Sequence, residues 1–336
     1  MSNSSAFDRF GLNFRRSIRL KPVVKQPARK ARQRSAKPNL QFERLESRQM
    51  LTGDFVWVNT VGGTGNEIAN AVATDSAGNV YTAGYFQGTV DFDPGSGTTP
   101  LTSAGGTDIF VTKVDNSGAL LWARSMGGGG TDAANGIAVD STGNVYTTGS
   151  FNGTADFDPS GSVSNLVSAG SSDIFVSRLD SSGNHVWARR MGGIDDDVAN
   201  GIVVDSTGNV YATGTFSGTA DFDPGLGVSN LISAGSSDIF VSKLNSSGNY
   251  VWARSLGGST VDDAAGIAVD ATGNVYTTGY FTTTADFDPG LGISNLISAG
   301  SSDVFVSRLD SNGNYVWARG MGGSGDINGI SGNDQG

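Results

Sequence analysis

Tyr250-Val251-Trp252-Ala253-Arg254-Ser255-Leu256-Gly257-Gly258 decides the fold of this chain, because the stretch returns at a fixed interval. Its tryptophan has counterparts at Trp57, Trp122, Trp187 and Trp317, each 65 residues from the next. A constant period of that length means one structural unit copied in tandem. The copy from Gly193 to Gly257 reads outward from there. Gly201-Ile202-Val203-Val204-Asp205 is a short apolar run ending in the turn cluster Ser206-Thr207-Gly208-Asn209. Val210-Tyr211-Ala212-Thr213-Gly214-Thr215-Phe216 follows, β-branched and aromatic, and reads as a second strand antiparallel to the first. Ile239-Phe240-Val241-Ser242-Lys243-Leu244 alternates as a third strand. Asn245-Ser246-Ser247-Gly248-Asn249 then turns the chain into the tryptophan strand, the fourth. No 3.6-residue apolar period occurs in the unit, so the reading is all-β.

Four antiparallel strands per copy predict the blade of a β-propeller. A blade takes roughly 40–50 residues, so each copy carries about 20 extra. They fall between strands two and three, where Ala220-Asp221-Phe222-Asp223-Pro224-Gly225 and Asn230-Leu231-Ile232-Ser233 predict an accessory hairpin. A β-helix coil is far shorter than this period and is the weaker alternative. The expected domains are a basic leader at 1–52, propeller repeats at 53–323, and the start of a further repeat at 324–336. Blades are placed at about 61–127, 128–192, 193–257 and 258–322. Phe55-Val56-Trp57-Val58-Asn59 is expected as an extra fourth-type strand, leaving either a ring closed by four blades with a stray strand or, the favoured reading, an incomplete or open ring.

Charge divides the same way. Residues 1–50 carry nine Arg and four Lys against Asp8, Glu43 and Glu46, whereas the whole chain is at −10. The repeats are therefore strongly acidic and repel phosphate backbones, which argues against nucleic acid as their partner. The basic leader, poor in apolar residues, is expected to be disordered. There is no cysteine, so no disulfide. No run of about 18 apolar residues exists, and no membrane span is expected.

Two resemblances bear on family. Asp238-Ile239-Phe240-Val241, Gly248-Asn249, Val251-Trp252, Leu256-Gly257-Gly258, Gly266-Ile267-Ala268-Val269-Asp270 and Gly273-Asn274-Val275-Tyr276 resemble the bacterial SBBP β-propeller repeat. That resemblance implies a surface or secreted protein and no defined activity. Phe42-Glu43-Arg44-Leu45-Glu46-Ser47-Arg48-Gln49-Met50-Leu51 is similar to the LEPR-XLL element of planctomycete surface and secreted proteins, with Ser47 in place of proline and Met50 in place of one leucine. It implies an extracellular or cell-envelope location.

Candidate sites follow the repeat. Asp91/Asp93, Asp156/Asp158, Asp221/Asp223 and Asp286/Asp288 form an Asp-x-Asp pair in every copy. Such pairs can supply oxygens to Ca²⁺, the one candidate cofactor, or can organise a Pro-Gly turn through Asx hydrogen bonds. Glu67, Asp132, Asp197 and Asp262, with Asp195, Asp196 and Asp263, lie on the blade-to-blade connection. They read either as an acidic ring facing a basic partner or as a solvated loop. Trp122/Arg124, Trp187/Arg189, Trp252/Arg254 and Trp317/Arg319 share a strand face. They suit sugar stacking or, better, packing between blades, as do Tyr81, Tyr146, Tyr211 and Tyr276. His185 is the only histidine, and no thiol accompanies it. A non-catalytic interaction or structural module is therefore expected, with an unknown protein or polysaccharide as partner at the cell surface. Calcium-dependent carbohydrate or matrix binding is the alternative, and a carboxylate-based glycoside hydrolase or lyase the third reading.

Overall fold

A computed structural model describes residues 56–324 of the chain. The basic leader, its LEPR-XLL-like element, Phe55 and residues 325–336 lie outside the described residues. Every regular element among them is a β-strand.

The first copy runs β1 (Glu67–Thr74), β2 (Val80–Phe86), β3 (Thr89–Asp91), β4 (Pro100–Thr102), β5 (Asp108–Val114) and β6 (Leu120–Gly128). The second runs β7 (Ala133–Val139), β8 (Val145–Asp156), β9 (Asn165–Leu179) and β10 (His185–Gly193). The third is β11 (Val198–Val204), β12 (Val210–Phe216), β13 (Thr219–Asp221), β14 (Asn230–Ile232), β15 (Asp238–Leu244) and β16 (Tyr250–Gly258). The fourth is β17 (Asp263–Val269), β18 (Val275–Phe281), β19 (Thr284–Asp286), β20 (Asn295–Ile297), β21 (Asp303–Leu309) and β22 (Tyr315–Met321). Each copy is a four-stranded antiparallel meander with the predicted hairpin between its second and third strands. The order β11-β12-β15-β16 shows the pattern. In the second copy the hairpin is continuous with its flanking strands, so β8 and β9 are longer.

Each β2-type strand begins just after a turn closed by an aspartate. In the third copy Asp205 Oδ1 accepts from the Thr207 and Asn209 amides, and Oδ2 accepts from Asn209 Nδ2 and the Tyr211 hydroxyl. Burial acts to raise the Asp205 pKa, but those donors outweigh it and hold the carboxylate below its ordinary value.

Neighbouring copies are joined in three ways. The end of each fourth strand pairs with the hairpin of the next copy, as in Gly127↔Asp156, Gly192↔Asp221 and Gly257↔Asp286. The first strands carry a bulge at Asn70, Asn135, Asn200 and Ala265. A bulge re-aims its side chain. Here it sends Asn70, Asn135 and Asn200 Nδ2 to the carbonyls of Ala134, Ala199 and Ala264 at 2.9–3.0 Å. Finally, the apolar cores lie in the seams. Tyr81, Ile109, Val111, Trp122 and Met126 of copy one pack with Val145, Phe157, Phe175 and Leu179 of copy two. The same pattern recurs at the next two seams.

The ring is open. At the head, Phe86, Val90, Phe92, Phe110 and Ala123 form a separate, much smaller core. At the tail, Met321 is 52% exposed, whereas its counterparts Met126, Met191 and Leu256 are almost wholly buried. The expected extra strand does not form: residues 56–60 are ordered but are not a strand. With no third strand beside it, the segment has no full ladder to join. It nevertheless imitates a preceding fourth strand. Trp57 Nε1 donates to the Asn116 carbonyl at 3.0 Å, Asn59 Nδ2 donates to the Gly118 carbonyl at 2.6 Å, and Gly62 bridges to Asp91.

Candidate binding surfaces

The Trp-Ala-Arg unit is a seam clamp. Trp122, Trp187 and Trp252 donate their Nε1 hydrogen to the carbonyls of Ser181, Ser246 and Ser311 in the next copy. Arg124, Arg189 and Arg254 donate Nε to Gly183, Gly248 and Gly313, and Nη2 to the residue before each. The guanidinium also lies about 5.5 Å from its own indole centroid. The glycine is required twice over. Gly183 has φ +77°, and a Cβ there would stand 3.0 Å from both Arg124 Nε and Trp122 Cδ2. These indoles are buried packing groups, and sugar stacking at the inner copies is excluded by their cover.

The Asp-x-Asp pairs close the hairpin tips. Asp91 Oδ1 accepts from the Asp93 and Thr99 amides, and Asp93 Oδ1 accepts from Gly95. Asp156 and Asp158, Asp221 and Asp223, and Asp286 and Asp288 repeat this arrangement. Phe92, Phe157, Phe222 and Phe287 between the acids are fully buried anchors. Among the described residues no group of three or more His, Cys, Asp or Glu side chains converges as a metal ligand set.

The second acidic series behaves otherwise than expected. Asp132, Asp197 and Asp262 form neither an exposed ring nor a solvated loop: all three are completely buried. Each organises its connection by accepting backbone amides. Asp132 Oδ2 takes Gly128 and Oδ1 takes Asn152; Asp197 takes Gly193 and Ser217; Asp262 takes Gly258 and Thr282. Short connections rich in small residues leave amides that only a carboxylate can satisfy at this point. Asp195 and Asp196 are exposed, Glu67 and Asp263 half-buried.

A third acidic set escaped the sequence reading. Asp108, Asp173, Asp238 and Asp303 are buried, and each accepts one amide through Oδ2 while Oδ1 has no donor. The free oxygens of Asp108, Asp173 and Asp238 converge on Asp132, Asp197 and Asp262 across a glycine. A Cβ on Gly127 would lie 2.8 Å from Asp108 Oδ1 and 2.9 Å from Asp132 Oδ2. Burial pushes Asp132 up to about 6 and Asp197 up to about 7, with the neighbouring carboxylate adding to both. The pairs thus release their proton at a higher pH than an isolated aspartate does. One copy departs from this symmetry: Arg190 Nη1 donates to Asp173 Oδ2 at 2.7 Å, where Ser125, Ser255 and Gly320 stand in the other copies.

His185 opens β10 half-buried, where copies three and four have Tyr250 and Tyr315, whose hydroxyls pair with Ser229 and Ser294. The surface that sequence reading overlooked is apolar. On the hairpins of copies two to four, Val163, Val167, Leu226, Val228, Ile232, Leu291, Ile293 and Ile297 are 59–108% exposed. Copy one has Ser96, Thr98 and Thr102 at the corresponding positions. The signal was legible as apolar residues on a loop that needs none for packing.

Four-stranded meanders whose cores lie between successive copies define repeats of the β-propeller class. Three segments, residues 121–158, 186–222 and 251–288, match the SBBP β-propeller repeat family. Each segment begins on the tryptophan strand of one copy and ends in the Asp-x-Asp hairpin of the next, so the matched unit spans a seam. The regulatory protein FlaEY of Caulobacter vibrioides is 31% identical over 192 residues, covering 55% of this chain and 20% of that protein. An uncharacterized WD repeat-containing protein, L264, of Acanthamoeba polyphaga mimivirus is 35% identical over 103 residues, 30% of this chain and 7% of that protein. The chain spans a fifth or less of these relatives. A solved protein of unknown function from Bacteroides caccae aligns over 75% of this chain and 81% of its own at 12% identity, with a TM-score of 0.30. No helix among the described residues is long and apolar enough to cross a membrane.

Proposed function

We propose that this chain is a non-catalytic interaction module, working outside the cell or at the cell envelope, that meets a protein or polysaccharide partner through the hairpin tips of copies two to four. The observation that carries this reading is the recurrence of exposed aliphatic side chains, eight from Val163 to Ile297, on the hairpins of copies two to four. Exposed apolar side chains repeated at one place in the fold mark a contact site. The SBBP match supports a repeat used for interaction, and the LEPR-XLL-like element supports the location. The carboxylates follow the repeat and are engaged by backbone amides in every copy, which favours a scaffold role over catalysis.

The test is binding of the purified chain to envelope and secreted extracts, compared with a Leu226→Ser, Ile232→Ser, Leu291→Ser, Ile297→Ser variant. Loss of binding with an unchanged melting temperature supports the reading; binding undiminished in the variant overturns it. A second reading, calcium-dependent carbohydrate or matrix binding, is favoured by one detail. The Oδ2 atoms of Asp91, Asp93 and their repeat equivalents accept no hydrogen bond among the described residues. Calcium titration during thermal melting separates the two. A rise in melting temperature, lost in Asp221→Ala with its repeat equivalents, would favour it; no shift at millimolar calcium removes it.

A further inference from the structure

The head and tail of the array are complementary halves of one seam. In each inner seam the preceding copy supplies a tyrosine, two aliphatic residues on its third strand, the tryptophan and a residue at the Met126 position. The following copy supplies the pocket that receives them. At the tail, the donor set is present and no other described residue covers it: Tyr276, Val304, Val306 and Trp317 are half-buried and Met321 is exposed. Arg319 is exposed and donates only to the carbonyl of its neighbour Ala318, through Nη1. At the head, the receiving set is present without its donor. A cavity of about 290 Å³ is lined by Val80, Phe92, Phe110, Val114 and the indole of Trp57. Val80, Phe92, Phe110 and Val114 correspond to Val145, Phe157, Phe175 and Leu179, which the first copy covers in the seam behind it. Beside the cavity, Ile68 and Val72 of β1 are 44% and 67% exposed.

We propose that the tail of one chain docks on the head of a second copy of this chain, remaking the inner seam, and that Trp57 is the plug that competes for that head. The continuity of the interface carries the assignment. Three seams within the chain show what fits this face, and the tail retains the tryptophan and arginine that clamp it. Trp57 already uses the Asn116 carbonyl, equivalent to the acceptor Trp122 finds at Ser181. The plug is the lighter of the two, with Asn59 making one bond to Gly118 where arginine makes two to the turn. The new joint is weaker than an inner seam, because Ala265 lacks the amide that Asn70, Asn135 and Asn200 send to the next copy. A head-to-tail contact is heterologous, so it closes only if the rotation permits. Two sets of the four described copies come to the top of the usual range of about four to eight blades. The seam geometry carries this independently of where in the cell the protein works.

The test is sedimentation velocity of the full chain over a concentration series. Trp57→Ala should tighten dimerisation at least about tenfold, one decade of association constant being about 1.4 kcal/mol. Asn59→Ala should tighten it less. Adding Met321→Lys and Arg319→Ala, both at exposed positions, with thermal melting as the check that the fold is kept, should return either variant to monomer. Growth past the dimer in Trp57→Ala that the same tail changes abolish keeps the joint and opens the ring. A Trp57→Ala chain that stays monomeric overturns the proposal, as does association indifferent to Met321→Lys and Arg319→Ala.

Discussion

Trp187 and Trp317 occupy the same place in their copies and meet different fates. Trp187 is 7% exposed, bonded to Ser246 and covered by the third copy. Trp317 keeps its arginine at 5.9 Å and its tyrosine at 6.4 Å, yet finds no following turn to bond among the described residues and stays half-open. Half of the environment of each tryptophan is thus supplied by its own blade and half by the next. A repeat in this array is therefore not a stable unit by itself; the seam is.

That contrast predicts a hierarchy of effects. Trp187→Ala should cost roughly 3–5 kcal/mol, the range for removing a buried large aromatic, while Trp317→Ala should cost about 1 kcal/mol. Chemical denaturation of both variants measures the gap, and equal losses would break the comparison. Gly248→Ala attacks the same clamp from the other side. Its φ of +74° and a Cβ 3.0 Å from Trp187 Cδ2 make a loss of about 2 kcal/mol the expected result. Gly153→Ala, at φ +74° with nothing within 4 Å of an added Cβ, isolates the backbone part of that cost.

Proton linkage sharpens the comparison further. Burial raises the folded-state pKa of Asp132, Asp197 and Asp262 above the ordinary 3.8, to about 6, about 7 and about 6. Their stabilisation is complete below 3.8 and is lost as pH rises through about 6–7. Asp205 and its turn equivalents, held low, work oppositely and lose their contribution as pH falls below 3.8. Stability should therefore peak in mildly acid solution and decline toward neutrality. Asp197→Asn should flatten that decline by on the order of 1–2 kcal/mol in pH-dependent denaturation.

Arg190→Ser converts the second copy to the arrangement that Ser125 and Ser255 already show. Because the guanidinium is 34% exposed and copies one and three do without it, the loss should be only about 1 kcal/mol, together with a steeper pH dependence, since Arg190 lowers the Asp173 pKa. Ser125→Arg tests the reverse. The smallest effect belongs to the hairpin tips: Leu226→Ser should change stability by no more than about 0.5 kcal/mol, since the side chain touches little in the isolated chain.

The strands of the third copy were legible nearly to the residue, because alternation and turn chemistry are local: Val210–Phe216 stands where the β-branched run predicted it. The hairpin with its Asp-x-Asp tip was legible for the same reason. The burial of Asp132, Asp197 and Asp262 was not. Whether a loop carboxylate is solvated or buried depends on which backbone amides the neighbouring hairpin brings to it, and that is a matter of packing across residues some 20 positions apart. The Asn59 contact was hidden too, since residues 55–59 read as a strand and the contact depends on a turn carbonyl 59 residues away.

The amino-acid order alone determined the period, the four-strand copy, the accessory hairpin and the choice of tryptophan as the joint, because each rests on propensities and spacings within a single 65-residue unit. Only the tertiary structure decided which copies share a core, which acids lose water and which faces are left over. Those outcomes belong to pairs of copies, and a single copy contains only one side of every seam.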